Sequence, residues 1–240
     1  MNLLLLSNST NFGEEYLEYP KKEIKNFLEG NKDNAIFIPY AGVTFGWDEY
    51  TYKVNESLRE VDIKVNGIHT FENPIKSIEN ADAILVGGGN SFQLLHLLYT
   101  NNLIDIIKEK VKSGIPYIGW SAGSNMACPT IKTTNDMPIV EPASFKALDL
   151  IPFQINPHYT EATIPDHGGE SREARILEFL EVNKEMIVVG LPEGMIIKLR
   201  NGSYELIGTK EVKIFQSGKN SFYIKTSEEL NKLFNYNTIT

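Results

Sequence analysis

The stretch Ile115-Pro116-Tyr117-Ile118-Gly119-Trp120-Ser121-Ala122-Gly123 joins a short apolar run to the pattern Gly-x-Ser-x-Gly. An apolar run that ends in this pattern and leads into a helical stretch is typical of a buried strand that turns sharply into a helix. Glycines are needed because backbone segments approach closely there, and the strained turn presents one hydroxyl at the carboxyl edge of a sheet. The stretch predicts an α/β fold with Ser121 as a nucleophile.

A second apolar run, Ala83-Ile84-Leu85-Val86, also ends in glycines, at Gly87-Gly88-Gly89-Asn90. When a serine attacks a carbonyl group, the oxyanion that forms needs two aimed N–H donors. The turn itself supplies the amide of Ala122, and we predict Gly88 as the second donor. A phosphate-binding loop is the rival interpretation, but no Gly-Lys-Ser/Thr follows and the glycine spacing is not that of a dinucleotide fingerprint.

Strand and helix patterns alternate through the first half of the chain. The predicted strands are residues 3–6, 35–39, 64–69, 83–86 and 117–119. The predicted helices are residues 21–28, 48–61, 75–80 and 92–112, the last broken at Asn101-Asn102. Most of these strands are continuous apolar runs, as expected where helices cover both faces of a sheet. Right-handed crossovers then predict an open, mostly parallel sheet whose reactive edge lies at the strand carboxyl ends.

The pattern changes after Ser121. The predicted elements there are a short strand at residues 153–155, a helix at 171–180 capped by Ser171, a buried strand at 186–191, and C-terminal β-hairpins around Asn201-Gly202 and Gly218. No linker, repeat or low-complexity segment interrupts this series. We therefore expect a single α/β hydrolytic domain over residues 1–240.

Composition indicates an ordinary globular protein, with 42% hydrophobic and 22% charged residues among 240. The net charge of −8 argues against nucleic acid or an anionic membrane as a partner. No apolar run approaches the roughly 20 residues that cross a bilayer, and we interpret residues 1–7 as a strand rather than a signal peptide. The single cysteine, Cys128, excludes an internal disulfide and fits a reducing cytoplasm.

An activated serine needs a base within hydrogen-bond reach and a third group that orients the base. Of the four histidines, we interpret His69 as an edge or solvent residue and His96 as a structural one. His158 follows a short strand and the rigid pair Asn156-Pro157, whereas His167 lies in a polar, glycine-containing loop. These contexts favour His158 as the general base over His167.

Two carboxylates could orient this base. Glu193 comes directly after a buried strand, where open α/β sheets place functional groups, although Pro-Glu-Gly is also an ordinary turn. Asp136 lies in a polar loop, where a local turn is the alternative interpretation. The residues alone do not decide between Asp136 and Glu193.

Several motifs, in order along nearly the whole chain, resemble those of one known family. They are GGGN at residues 87–90, GWSAGSN at 119–125, TTNDMPIV at 133–140, FQINPHY at 153–159, HGGESR at 167–172 and LPEG at 191–194. Together they resemble peptidase E, the α-aspartyl dipeptidase family of serine peptidases with a class I glutamine amidotransferase-like fold. One departure is Ser171, where we expect threonine before the arginine, and this change keeps the hydroxyl.

The resemblance implies Ser121 as nucleophile and His158 as base, and it offers both Asp136 and Glu193 as the acid. It implies removal of an N-terminal aspartate from dipeptides and small peptides, without a metal or other cofactor. Cyanophycinases and isoaspartyl peptidases are related alternatives. Glutaminases of the wider fold carry cysteine at the turn, so the serine argues against thioester chemistry.

An aspartyl substrate would bring a carboxylate into an acidic protein, so its pocket needs a cation. Arg172 is our candidate, because a bidentate arginine beside a helix start forms a carboxylate site. The alternative is an exposed arginine paired with Glu170 or Glu173. Residues 159–170 could form a lid that excludes longer peptides, but no spacing in the sequence shows one. The sequence also leaves the oligomeric state open, and a homo-oligomer is possible.

Two other classes of function compete with a serine peptidase. A metal hydrolase could use a cluster of four side chains, His158, Asp166, His167 and Glu170, but this cluster lacks a close ligand spacing. A non-catalytic protein that binds small molecules could use the same fold.

Overall fold

The computed structural model describes residues 1–30, 33–162 and 168–235. The larger sheet contains β1 (Leu3–Leu6), β2 (Ala35–Ile38), β3 (Val65–Gly67), β4 (Ala83–Val86), β5 (Tyr117–Trp120), β8 (Ile196–Arg200) and β9 (Ser203–Ile207). Its strand order is β3-β2-β4-β5-β1-β8-β9. The first five strands of this order run parallel, and the β8–β9 hairpin adds two antiparallel strands at one edge.

A second sheet contains β6 (Gln154–Pro157), β7 (Ile187–Leu191), β10 (Val212–Gln216) and β11 (Phe222–Ile224), in the order β11-β10-β7-β6. Strands β6 and β7 are parallel, β10 pairs antiparallel with β7, and β11 pairs antiparallel with β10 to complete the hairpin. The sequence analysis predicted these strands and both C-terminal hairpins, but it placed the parallel strands in one sheet. The division into two sheets is therefore a difference from the prediction.

Helices cover both faces of the larger sheet, as predicted. The helices are α1 (Lys21–Leu28), α2 (Trp47–Leu58), α3 (Pro74–Glu79), α4 (Ser91–Thr100), α5 (Ile104–Lys112), α6 (Ala122–Ala127), α7 (Arg172–Val182) and α8 (Ser227–Asn235). Alternate residues of β1 enter opposite cores, because successive side chains of a strand point to opposite faces. Leu4 and Leu6 pack with α1 and α2, whereas Leu3 and Leu5 share a core with α4, α5 and the second sheet.

Most element boundaries lie within one or two residues of those predicted. The helical break at Asn101-Asn102 and the cap at Ser171 are confirmed. Strand β3 is shorter than predicted, because the chain turns into a 3-10 helix at Ile68–Thr70. There the Thr70 hydroxyl donates to the Gly67 carbonyl at 2.8 Å, a local bond that competes with strand pairing. Helix α8 was not predicted.

Helix α6 joins the two sheets behind the predicted nucleophile. It packs against both β5 and β6, and its buried Asn125 donates from Nδ2 to the Ile155 carbonyl of β6 at 2.8 Å. The carboxyl ends of β4, β5 and β1 in one sheet therefore come together with those of β6 and β7 in the other. No helix of the described ranges is long and apolar enough to span a membrane.

Gly123→Ala should destabilise the protein by about 1–3 kcal/mol, because the new methyl group would overpack a rigid backbone contact. A Cβ at Gly123 would collide with the Val86 carbonyl, which cannot move without disturbing β4. Urea denaturation would measure the free energy of unfolding. Gly46→Ala is the matched control, since a Cβ there meets nothing within 4 Å, and equal losses in the two variants would contradict this account.

Candidate active site

Ser121 occupies the sharp turn between β5 and α6. Its backbone has φ 53° and ψ −111°, a conformation that is strained for a residue with a side chain. The turn is fixed from both sides: the Ser121 N–H donates to the Leu6 carbonyl at 3.1 Å, and the Ser124 hydroxyl donates to the Gly119 carbonyl at 2.9 Å. A Cβ at Gly119 would collide with the Gly123 backbone, so these glycines are required sterically. The Ser121 side chain remains partly exposed.

His158 lies directly after β6, with its imidazole against Ser121. The distance from His158 Nε2 to Ser121 Oγ is 3.0 Å, and Nδ1 lies 2.7 Å from Glu193 Oε1. An ionised carboxylate only accepts hydrogen bonds, so a proton on Nδ1 satisfies Glu193 and leaves Nε2 free to accept the serine proton. This is the arrangement in which an imidazole activates a hydroxyl.

Glu193 lies in the turn that follows β7. The Gly194 N–H donates to Asn8 Oδ1 at 2.8 Å, which ties this turn to the segment after β1. The side chains of His158 and Glu193 are 36% and 47% exposed, so their interaction adds little to stability, as is usual for exposed ion pairs. The contact instead orients the imidazole ring of His158.

Among the described residues, Asp136 makes no hydrogen bond or ion pair with His158, whose carboxylate partner is Glu193. Asp136 Oδ2 accepts from the Ser91 N–H at 2.7 Å and from the Thr134 hydroxyl at 2.9 Å. A carboxylate at this place satisfies a free N–H of the first turn of α4 and interacts favourably with the helix dipole. Of the two carboxylates left open by the sequence, Glu193 is therefore the one beside the imidazole. Asp136 instead holds the helix that follows the Gly87–Asn90 loop.

Gly88 and Ala122, the two predicted oxyanion donors, both lie next to Ser121. Ala122 begins α6, so its N–H has no intrahelical partner. Gly88 is close enough that a Cβ on it would lie 3.1 Å from Ser121 Cβ. Tyr50 fixes this loop by donating its hydroxyl to the Gly88 carbonyl at 2.9 Å. Within the described ranges, neither the Gly88 nor the Ala122 amide donates a backbone hydrogen bond, so both are available to an incoming oxygen.

Arg172 is the first residue of α7, and Ser171 caps that helix by accepting from the Ala174 N–H at 3.1 Å. Its Nη1 is buried and has no hydrogen-bond partner among the described residues. Burial lowers the pKa of the Arg172 guanidinium, the charge of Arg175 lowers it further, and Glu193 opposes both. An arginine remains charged in proteins nonetheless.

The glutamates that could have neutralised Arg172 have other partners. Glu173 accepts from Lys213 Nζ and from the Ser221 hydroxyl, both at 3.0 Å. Glu170 lies 4.0 Å from Arg175 in an exposed pair. The interpretation of Arg172 as an arginine paired with Glu170 or Glu173 is therefore wrong for the part of the chain that the structure describes.

Three residues around the site were missed by sequence reasoning. Ser7 accepts from the His158 N–H at 2.9 Å, Asn8 holds the Glu193 turn, and Tyr50 holds the Gly88 loop. Ser7 and Asn8 did carry a signal, because they are polar residues directly after the buried strand β1, at the sheet edge where functional groups lie. Tyr50 carried none, since an aromatic residue on an amphipathic helix reads as core.

Two further sequence interpretations concern His69 and a metal site. His69 follows the edge strand β3, and its Nε2 lies 2.8 Å from Oδ1 of the exposed Asp48. Residues 163–167, which include Asp166, His167 and part of the predicted lid, lie outside the described residues. Within residues 1–30, 33–162 and 168–235, no group of three or more His, Cys, Asp or Glu side chains is arranged to hold a metal ion.

Glu193→Gln and Asp136→Asn form a matched pair that tests which carboxylate orients the imidazole. Hydrogen bonds to a charged acceptor are the shorter and stronger ones, so the Nδ1 proton of His158 should give a low-field proton NMR signal. We expect Glu193→Gln to abolish this signal and Asp136→Asn to retain it. Loss of the signal in Asp136→Asn alone would reverse the assignment.

Comparison with known proteins identifies the family of this chain. A peptidase E from Nostoc sp. is 54% identical over 217 residues, which cover 90% of each chain. A peptidase E from Salmonella typhimurium is 52% identical over 219 residues, or 91% of this chain and 95% of that protein. The crystal structure of a peptidase from an acI-B1 Actinobacterium has the same fold, with a TM-score of 0.64 at 17% identity over 93% of this chain and 96% of the other. The model of peptidase family S51 matches residues 3–207, and the chain belongs to this family.

Proposed function

We propose that this protein is a serine exopeptidase that hydrolyses dipeptides and small peptides with an N-terminal aspartate, through an acyl-enzyme. The observation that carries the proposal is the continuous chain of contacts from Ser121 Oγ through His158 to Glu193, at 3.0 and 2.7 Å. A hydroxyl, an imidazole and a carboxylate in this order are the parts that nucleophilic acyl transfer requires. The names of the relatives at more than 50% identity support the same activity.

In the first half of the reaction, Ser121 Oγ attacks the carbonyl carbon of the N-terminal residue while His158 Nε2 takes the hydroxyl proton. The negative charge passes to the carbonyl oxygen, where the N–H groups of Gly88 and Ala122 stabilise it. When the C–N bond breaks, His158 returns its proton to the leaving amine. The products of this half are an aspartyl ester on Ser121 and a free amino acid or shortened peptide.

In the second half, water takes the place of the amine. His158 accepts a proton from the water as its oxygen attacks the ester carbon, and the oxyanion forms again at the same two amides. His158 then returns the proton to Ser121 Oγ as the ester bond breaks, which releases aspartate. Glu193 stays ionised throughout and stabilises the imidazolium that appears in each half.

Arg172 supports the choice of an acidic side chain. Its Nη1 lacks a partner among the described residues, and a buried donor left unsatisfied is costly, so a ligand oxygen that fills this place gains affinity. A carboxylate suits the Arg172 guanidinium best, because a carboxylate neutralises the positive charge and can accept two parallel hydrogen bonds. In a protein of net charge −8, a local cation of this kind is what an acidic substrate needs.

We also propose a cytoplasmic location. The only cysteine, Cys128, is fully buried, and burial raises the pKa of its thiol to about 12. Its sulfur accepts from the Ile155 N–H at 3.2 Å, as a packing residue would. The chain therefore offers no thiol for a stabilising disulfide, which fits a reducing compartment. Fractionation of the source cells would test this location.

Ser121→Ala should lower kcat for Asp-Leu by about 10⁴-fold or more, because the triad acts as a unit once its nucleophile is removed. The parent enzyme should also react with a fluorophosphonate at Ser121, whereas an unactivated serine would not. A panel of Asp-X, isoaspartyl, Glu-X and Asn-X dipeptides, assayed by release of the free amino acid, would define the substrate. Labelling without cleavage of any peptide would favour a different acyl substrate, and absence of labelling would favour a non-catalytic binding protein.

Arg172→Ala should lower kcat/KM for Asp-Leu by about 10- to 100-fold, which corresponds to the loss of charge-assisted hydrogen bonds. The rate of Asn-Leu cleavage should change much less, so that the preference for aspartate collapses. Arg175→Ala is the matched control, since this arginine lies on the same helix with its side chain 70% exposed. Unchanged Asp-Leu cleavage by Arg172→Ala would remove this residue from the substrate site.

A further inference from the structure

We propose that Ser7 is a positioning residue for catalysis: its buried hydroxyl fixes the backbone of His158 and thereby the approach of the imidazole to Ser121. The proposal rests on the proposed function, because it assigns Ser7 a part in activating the same nucleophile. Ser7 lies directly after β1, in the larger sheet, whereas His158 and Glu193 follow strands of the second sheet.

The hydroxyl of Ser7 connects three strand ends. Its Oγ donates to the Leu191 carbonyl at the end of β7 at 2.8 Å and accepts from the His158 N–H after β6 at 2.9 Å. The Ser7 N–H donates to the Met195 carbonyl at 3.0 Å. The direction of each bond is fixed, because an amide only donates and a carbonyl only accepts. Ser7 is fully buried, so within the fold water cannot readily replace these bonds.

His158 requires such support because of its backbone conformation. Its φ is 53°, in the left-handed region that residues with a side chain adopt at a cost. Only the surrounding contacts keep it there. The Ser7 hydroxyl holds the N–H of His158 itself, and the next amide, of Tyr159, donates to the Leu191 carbonyl at 3.1 Å. If the hydroxyl is removed, the His158 N–H loses its partner and the backbone can relax, which moves the imidazole relative to Ser121 Oγ.

Asn8, the residue after Ser7, holds the turn that carries Glu193, the hydrogen-bond partner of His158. Asn8 Oδ1 accepts from the Gly194 N–H at 2.8 Å, beside Glu193, and the Tyr19 hydroxyl donates to the Asn8 carbonyl at 2.7 Å. The end of β1 therefore locates both His158 and the turn of Glu193. None of the bonds of Ser7 or Asn8 involves Arg172, so loss of the Ser7 hydroxyl should affect the chemical steps rather than substrate affinity.

Ser7→Ala tests the proposal by separating kcat from KM. We expect kcat for Asp-Leu to fall about 10- to 100-fold, as small misplacements of reacting groups do, while KM changes by about two-fold or less. The rate at which a fluorophosphonate labels Ser121 should fall in parallel with kcat. Ser77→Ala is the matched control, because this serine is also buried and donates to the Pro74 carbonyl at 2.7 Å, on α3. It should keep the parent kcat and labelling rate.

The proposal is overturned if Ser7→Ala matches Ser77→Ala in both kcat and labelling rate. If Ser7→Ala fails to fold, Ser7→Cys keeps the test open, since a thiol is a weaker donor and acceptor. Intermediate kcat and labelling rates in Ser7→Cys support the proposal, and parent rates overturn it. A parent enzyme that is labelled at Ser121 but does not cleave Asp-Leu would refute the proposed substrate, while the labelling rates would still decide the role of Ser7.

Discussion

The hydrogen bond between Ser121 Oγ and His158 Nε2 is made between residues that follow strands of two different sheets. Ser121 follows β5 of the larger sheet, and His158 follows β6 of the smaller one. Their 3.0 Å distance therefore depends on how the sheets are held together, and not on either sheet alone. Among the contacts that set this relation, Asn125 of α6 bonds to β6, and Ser7 bonds to the ends of both β6 and β7. The fold places the site at the seam between its two sheets.

The two residues that meet between the sheets, Ser121 and His158, both have a strained backbone conformation. Ser121 and His158 both have φ 53°, and each left-handed residue of this kind costs on the order of 1–2 kcal/mol. The surrounding structure holds both conformations in place. Glycines at 119 and 123 make room for the serine turn, while Ser7 and the Leu191 carbonyl hold the backbone around His158. Such strain fixes the two side chains in one relative position, which is a common feature of active sites.

Much of this arrangement could be predicted from the sequence, because its signals are local. The turn at Ser121 is encoded by an apolar run and two glycines within nine residues, and the contexts of His158 and Ser171 are equally short. The second sheet could not be predicted in the same way. Strand β7 is an apolar run like those of the larger sheet, and β6, with the sequence Gln-Ile-Asn-Pro, carries no pattern that indicates its partner. The place of β6 depends on its packing against α6, which precedes it in the chain. The choice between Asp136 and Glu193 was open for the same reason, since each lies in a plausible turn or loop and only the pairing of β6 with β7 brings Glu193 to the imidazole.

A structure of the enzyme labelled by a fluorophosphonate would test the central claim most directly. The account predicts phosphorus bonded to Ser121 Oγ, with the phosphoryl oxygen about 2.7–3.1 Å from the amide nitrogens of both Gly88 and Ala122, the distance expected of oxyanion donors. His158 Nε2 should face the position from which the leaving group departed. A label on another residue, or a phosphoryl oxygen directed away from both amides, would contradict it.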